Sequence, residues 1–121
     1  MTGYADADIV TAVVKESDHL KRRALDHLKH HKVSVPFSVG IELLFVAQKH
    51  GLPRQTFLAS AARHFDLERK EVLLGAAHAL DEGEVVTVFD AVHASQAVED
   101  LTHLHTSDKK LLASPFPTVG F

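Results

Sequence analysis

The chain contains no cysteine. That excludes a disulfide scaffold, a thiolate zinc site, an iron–sulfur cluster and a cysteine nucleophile. Long hydrophobic runs are missing as well. The longest nearly apolar stretch, Val35 to Ala47, falls short of the roughly 18 residues that a membrane span needs, and Glu42 interrupts it. The first residues, Met1 to Asp8, are acidic and offer no basic n-region of a signal peptide. The expectation is a cytoplasmic protein without membrane association. No repeat, linker or low-complexity tract breaks the chain. With 121 residues, 45% of them hydrophobic and 24% charged, it should form one domain over 1–121.

Charge is present but unevenly spread. The net charge is −3, yet Lys15 to Arg63 holds nine Lys/Arg against four Asp/Glu, and Asp66 to Asp108 holds two against ten. A basic front half and an acidic back half suit an anionic partner beside a carboxylate-rich site. Two ordinary solvated faces would give the same count.

Apolar patterning and capping signals give the elements. A strand is expected at about 2–6 and a short helix at about 8–15. Ser17 reads as the N-cap of a second helix over about 18–31, with Leu20, Ala24, Leu25 and Leu28 on its apolar stripe. Val33-Ser34-Val35 reads as a strand closed by Pro36. Ser38 should cap a third helix ending near His50, with Gly51 at C′. Further helices are expected over about 54–65, 67–80 and 88–100, the last opened by a Thr87/Asp90 capping box. Leu101 to Thr106 and Thr118 to Phe121 read as strands. No clear strand stands between Gly51 and Gly83. Strands alternating with helices predict an α/β fold with a parallel sheet. Ligands in such folds bind beyond the carboxyl ends of the strands.

Four carboxylates occupy telling positions. Asp6 falls where the first strand ends, and Asp8 is the better helix cap, so Asp6 has no obvious structural task. Glu42 sits in SVGIELLFVA, apolar on nearly every side, where it should be buried; an ionised carboxylate there needs a partner. Asp90 lies in the first turn of the sixth helix and Asp108 two residues past a strand. Each has a bland reading as cap, turn or ion pair. If the four converge they repel, and a divalent cation is the ordinary remedy, Mg²⁺ or Mn²⁺ for an all-oxygen set.

In order along the chain, YADADIV, VPFSVGIELL, FDAVHASQA and HTSDKKL resemble the four motifs of the PIN-domain nucleases. Each is weak alone, but the order spans Tyr4 to Phe121. The resemblance implies a three-layer α/β/α sandwich around a central parallel sheet. It implies Mg²⁺- or Mn²⁺-dependent cleavage of RNA, with Asp6, Glu42, Asp90 and Asp108 as the catalytic and metal-binding set. Thr106 or Ser107 would position water or phosphate, and Asp8 stands where the family usually has a hydroxyl or amide residue. Leu111 and Leu112 stand where an aromatic is common. Small stand-alone members resemble VapC-type toxins, homodimers silenced by an antitoxin protein.

The basic second helix, through Arg22 and Arg23 in particular, could contact RNA phosphates, although a solvated helix face is the simpler reading of each residue. His27 and His31 have metal-ligand spacing without an evident third ligand. Two other functions compete. One is a catalytically silent RNA- or protein-binding module of the same fold. The other is a DxD phosphatase built on Asp6-Ala7-Asp8, which leaves Glu42 unexplained.

Overall fold

The computed structural model describes residues 2–15 and 18–121. The elements run β1 (Thr2–Tyr4), α1 (Ala7–Val14), α2 (Lys21–Leu28), β2 (Lys32–Val35), α3 (Phe37–Lys49) and α4 (Arg54–His64). They continue through β3 (Asp66–Leu67), α5 (Lys70–Asp81), α6 (Val88–Glu99), β4 (Leu104–Thr106), α7 (Lys109–Leu112) and β5 (Thr118–Gly120). The class is mixed α/β, and every strand pair is parallel.

The strands do not form the single central sheet that the PIN-like sandwich requires. β1, β2 and β3 make one sheet in that order, and β4 and β5 make another. Among the described residues no ladder joins the two. The expected gap between Gly51 and Gly83 is filled by β3, which pairs Asp66 and Leu67 with Ser34 and Val35. Two residues carry too little alternation to register as a strand pattern. The ladders are extended by Ala5 N–H to Ser34 C=O (2.7 Å) and Glu68 N–H to Val35 C=O (2.9 Å).

Helix boundaries follow local chemistry. Gly51 and Gly83 adopt φ of +64° and +72°, the left-handed turn that ends α3 and α5. Thr87 Oγ1 accepts from the Asp90 N–H at 3.3 Å and opens α6 as expected. Two expected caps are corrected. α3 starts two residues earlier than read, with Pro36 at N-cap, so Ser38 lies inside the helix. α2 is shorter than read, Lys21–Leu28, with Leu20 at N-cap; Ser17 lies outside the described residues. The strand expected from Leu101 begins only at Leu104, because Leu101 takes a left-handed φ of 54° at the end of α6. α4 is capped from a distance. Both carboxylate oxygens of Asp81, at the end of α5, accept from its first N–H groups, Arg54 at 3.1 Å and Gln55 at 2.9 Å.

The core lies mainly between helices. α3 packs on α1, α4, α5 and α6, and α5 packs most extensively on α6. Leu43, Leu44, Leu58 and Leu73 are fully buried, each contributing about 1.5–3 kcal/mol over an exposed position. Two glycines permit close approach. A Cβ on Gly40 would collide with the Leu73 side chain, and one on Gly75 would meet Ser95 Oγ at 2.5 Å. Among the described residues no helix is long and apolar enough to cross a membrane.

Candidate active site

Asp6 lies two residues past β1 and is the N-cap of α1; its Oδ1 accepts from the Ala7 N–H at 2.7 Å. Its side chain is exposed. The structural task that the sequence reading gave to Asp8 therefore belongs to Asp6. Asp8 sits in the first turn and lines a groove between α1 and α2 with Ile9, Leu20 and Arg23.

Asp108 follows β4 as Asp6 follows β1. It is the N-cap of α7, with Oδ1 accepting from Lys110 (2.8 Å) and Leu111 (3.2 Å). The Thr106 hydroxyl accepts from the Asp108 N–H at 3.0 Å and so fixes the turn that presents the carboxylate. Ser107 is exposed beside it.

Asp90 is half-buried in the first turn of α6. It and Asp108 line one cleft of about 490 Å³, together with Glu84, Thr87, Lys109 and Lys110. Three acidic and two basic residues thus border a common space. Sequence reasoning singled out neither Glu84 nor the two lysines. The lysines directly follow Asp108, and that adjacency was the available signal.

Glu42 overturns its expectation. It is exposed, not buried. It stands on the outward stripe of α3 with Ser38, Phe45 and Lys49, all exposed, while Leu43, Leu44 and Ala47 face the core. α3 nevertheless touches both α1 and α6, the helices that begin at Asp6 and carry Asp90.

The candidate metal ligands do not form a preformed site. Their chemistry suits a hard cation, since all are carboxylates. Yet among the described residues no three His, Asp or Glu side chains stand close enough together to hold a metal ion. The reading has the four carboxylates cluster at one edge of the sheet, with neighbouring pairs close enough to share a cation, and among the described residues no three of them are grouped in that way. His27 and His31 likewise gain no third ligand; their rings stack at 4.1 Å.

Arg22 and Arg23 are both exposed but part company. Arg22 lines a cleft between α2 and the end of α4, and Arg23 lines the α1–α2 groove. A phenylalanine pair, Phe45 and Phe89 with ring centroids 5.6 Å apart, lies exposed on α3 and α6, three positions after Glu42 and one before Asp90.

No protein-family model matches the chain, and no curated protein matches it. Among solved structures it is similar to a chain in the crystal structure of VapBC2 from Rickettsia felis bound to a DNA fragment from their promoter. The identity is 14%, the match covers 100% of this chain and 99% of that one, and the TM-score is 0.40. A superposition of that quality does not establish a common fold.

Proposed function

We propose that the chain is a divalent-metal-dependent ribonuclease of the PIN type, acting on RNA through Asp6, Glu42, Asp90 and Asp108. The observation that carries the reading is the shared cleft of Asp90 and Asp108, two carboxylates brought together from separate elements. Asp6 and Asp108 support it, because each lies two residues past the carboxyl end of a parallel strand, where α/β folds place ligands. Mg²⁺ or Mn²⁺ is the cofactor this reading requires, and the carboxylates would have to draw together to hold it.

The chain's own residues have definable tasks. Thr106 fixes the Asp108 turn. Lys109 and Lys110 offset the charge of Asp90, Asp108 and Glu84, so that a phosphodiester can approach a carboxylate-rich cleft. The reading extends to a toxin partnered by an antitoxin protein and to a homodimer. The exposed Phe45–Phe89 pair is apolar surface of the kind that pairing would cover, and sedimentation at micromolar concentration should show twice the monomer mass.

A silent binding module of the same fold is the second reading. The absence of a three-donor group among the described residues favours it, as do the capping tasks of Asp6 and Asp108. The phosphatase reading loses ground, because Asp8 lines the α1–α2 groove and Asp6 does not.

RNA cleavage with and without Mn²⁺ separates the first two. The wild type should cleave only with metal. Asp90→Asn and Asp108→Asn should each lose about 100-fold or more while staying folded. Calorimetric Mn²⁺ binding without cleavage would establish the silent module.

A further inference from the structure

We infer that the cleft between α2 and the C-terminal end of α4 is a binding track for the phosphodiester backbone of single-stranded RNA. The choice of RNA as the polyanion rests on the ribonuclease reading; the cleft's cationic character does not.

The cleft is open and of about 880 Å³. Lys21, Arg22 and Lys29 line it from the α2 side, and Arg63 lines it from α4. Two carboxylates share it, and both are engaged. Asp18 accepts from the Leu20 N–H at 2.9 Å, and Asp26 pairs with Lys29 at 3.3 Å. Among the described residues, Lys21, Arg22 and Arg63 have no carboxylate at ion-pair distance. Among the described residues that line this open surface, Lys21, Arg22, Lys29 and Arg63 outnumber Asp18 and Asp26 by two charges, in a chain whose net charge is −3. Like charges held together are unfavourable for the fold alone. A polyanion relieves them and releases its own counterions.

The geometry divides a basic run that looks continuous in sequence. Lys21 and Arg22 face this cleft, and Arg23 faces the α1–α2 groove with Ile9 and Ala24. Arg63 joins from a helix more than thirty positions away, which no local pattern shows. Two guanidinium groups from separate helices suit successive phosphates, since the planar fork of arginine matches phosphate oxygens in a bidentate manner. A protein segment would be anchored by apolar side chains, and among the described residues that line the cleft Leu25 and Leu28 are the aliphatic ones.

The test is fluorescence anisotropy of a labelled 12-nucleotide oligouridylate, in EDTA and over a salt series, so that binding is read without cleavage. The double variant Arg22→Ala/Arg63→Ala is compared with Lys49→Ala/Lys70→Ala, which removes the same charge from exposed positions elsewhere. Circular dichroism melts check that both stay folded. The cleft variant should raise Kd about tenfold at low salt. It should also reduce the slope of log Kd against log salt by about 1.4, for two phosphate contacts at roughly 0.7 each on a single strand. The lysine control should keep the wild-type slope.

Equal losses in both doubles would reduce the effect to net charge and overturn the inference. So would polyglutamate competing as well as RNA, which would make the occupant an acidic protein segment. The two readings fail separately. Binding through this cleft without any cleavage leaves the track standing and removes the nuclease. Cleavage that is equal in wild type and cleft variant, with unchanged Kd, does the reverse.

Discussion

Gly75 and Ser95 should show a mutational effect that changes sign with its background. Gly75 lies inside α5 and faces Ser95 of α6, the helix that carries Asp90. In an isolated helix, Gly→Ala gains about 1 kcal/mol. Here the added Cβ would stand 2.5 Å from Ser95 Oγ. That oxygen cannot easily yield, because it donates to the Val72 carbonyl at 2.7 Å and Ser95 is 3% exposed. Gly75→Ala must either break that bond, leaving a buried hydroxyl unsatisfied at about 1–3 kcal/mol, or push the helices apart at a similar cost. Set against the helix gain, the net expectation is a loss of up to about 2 kcal/mol. Ser95→Ala alone should lose about 1 kcal/mol, since the Val72 carbonyl lies within α5 and keeps its intrahelical partner. With Oγ gone, the next Ser95 atom is Cβ at 3.6 Å, an ordinary contact. In the Ser95→Ala background, Gly75→Ala should therefore stabilise by up to about 1 kcal/mol, a coupling of about 1–3 kcal/mol. Urea unfolding of the four proteins reads it directly, and melts should follow at about 4 °C per kcal/mol. Additivity within about 0.5 kcal/mol would refute the reasoning, because uncoupled sites behave that way and residues in contact do not.

Three further outcomes are expected. Asp6→Asn should melt close to wild type in EDTA, because Asn caps a helix about as well as Asp, yet it should gain much less from Mn²⁺ than the wild type, whose gain is about 2.7 kcal/mol at 100 times Kd; equal shifts would move the metal elsewhere. Burial pushes the Asp81 carboxyl up, but donation from the Gln55 and Arg54 backbones and the Arg54 guanidinium outweighs it and holds the group below its ordinary value. Its contribution is then present above the unfolded-chain value near pH 4 and lost as pH falls through the lower folded value, so the urea midpoints of wild type and Asp81→Asn should differ at pH 7 and converge on acidification. Leu101→Gly should raise Tm by a few degrees, since Leu101 is 94% exposed at a φ of 54° and a left-handed leucine costs about 1–2 kcal/mol, part of which glycine's greater unfolded-state entropy cancels; an unchanged or lower Tm would show that Leu101 carries no such strain.

What was legible in the sequence was whatever short-range chemistry decides. Gly51, Gly83 and the Thr87 cap mark their helix ends because a left-handed turn or a side-chain acceptor is a local requirement. The alternation of β1, α1, α2, β2 and α3 was readable for the same reason. What was hidden depends on partners far away in sequence. β3 exists because Val35 offers an edge to Leu67, and the Asp81 cap of α4 arrives from the far end of another helix. The separation of the two sheets is likewise a matter of assembly, which no motif records.

Glu42 shows how one residue can mislead a helical reading. Counting apolar neighbours made α3 look buried on all sides. The outward stripe is nonetheless there, at Ser38, Glu42, Phe45 and Lys49, with the spacing of successive turns. Phe45 disguised it, because a large aromatic was read as core when it in fact stands outside against Phe89. The misplaced carboxylate and the misplaced aromatic are thus one error. Its correction changes what Glu42 needs. A buried carboxylate would have required a partner within the fold; an exposed one costs little alone and is free to meet a ligand from solvent. Exposure therefore removes the strain argument for a metal at Glu42 and leaves its placement, on the helix that touches both α1 and α6, as its claim to a site.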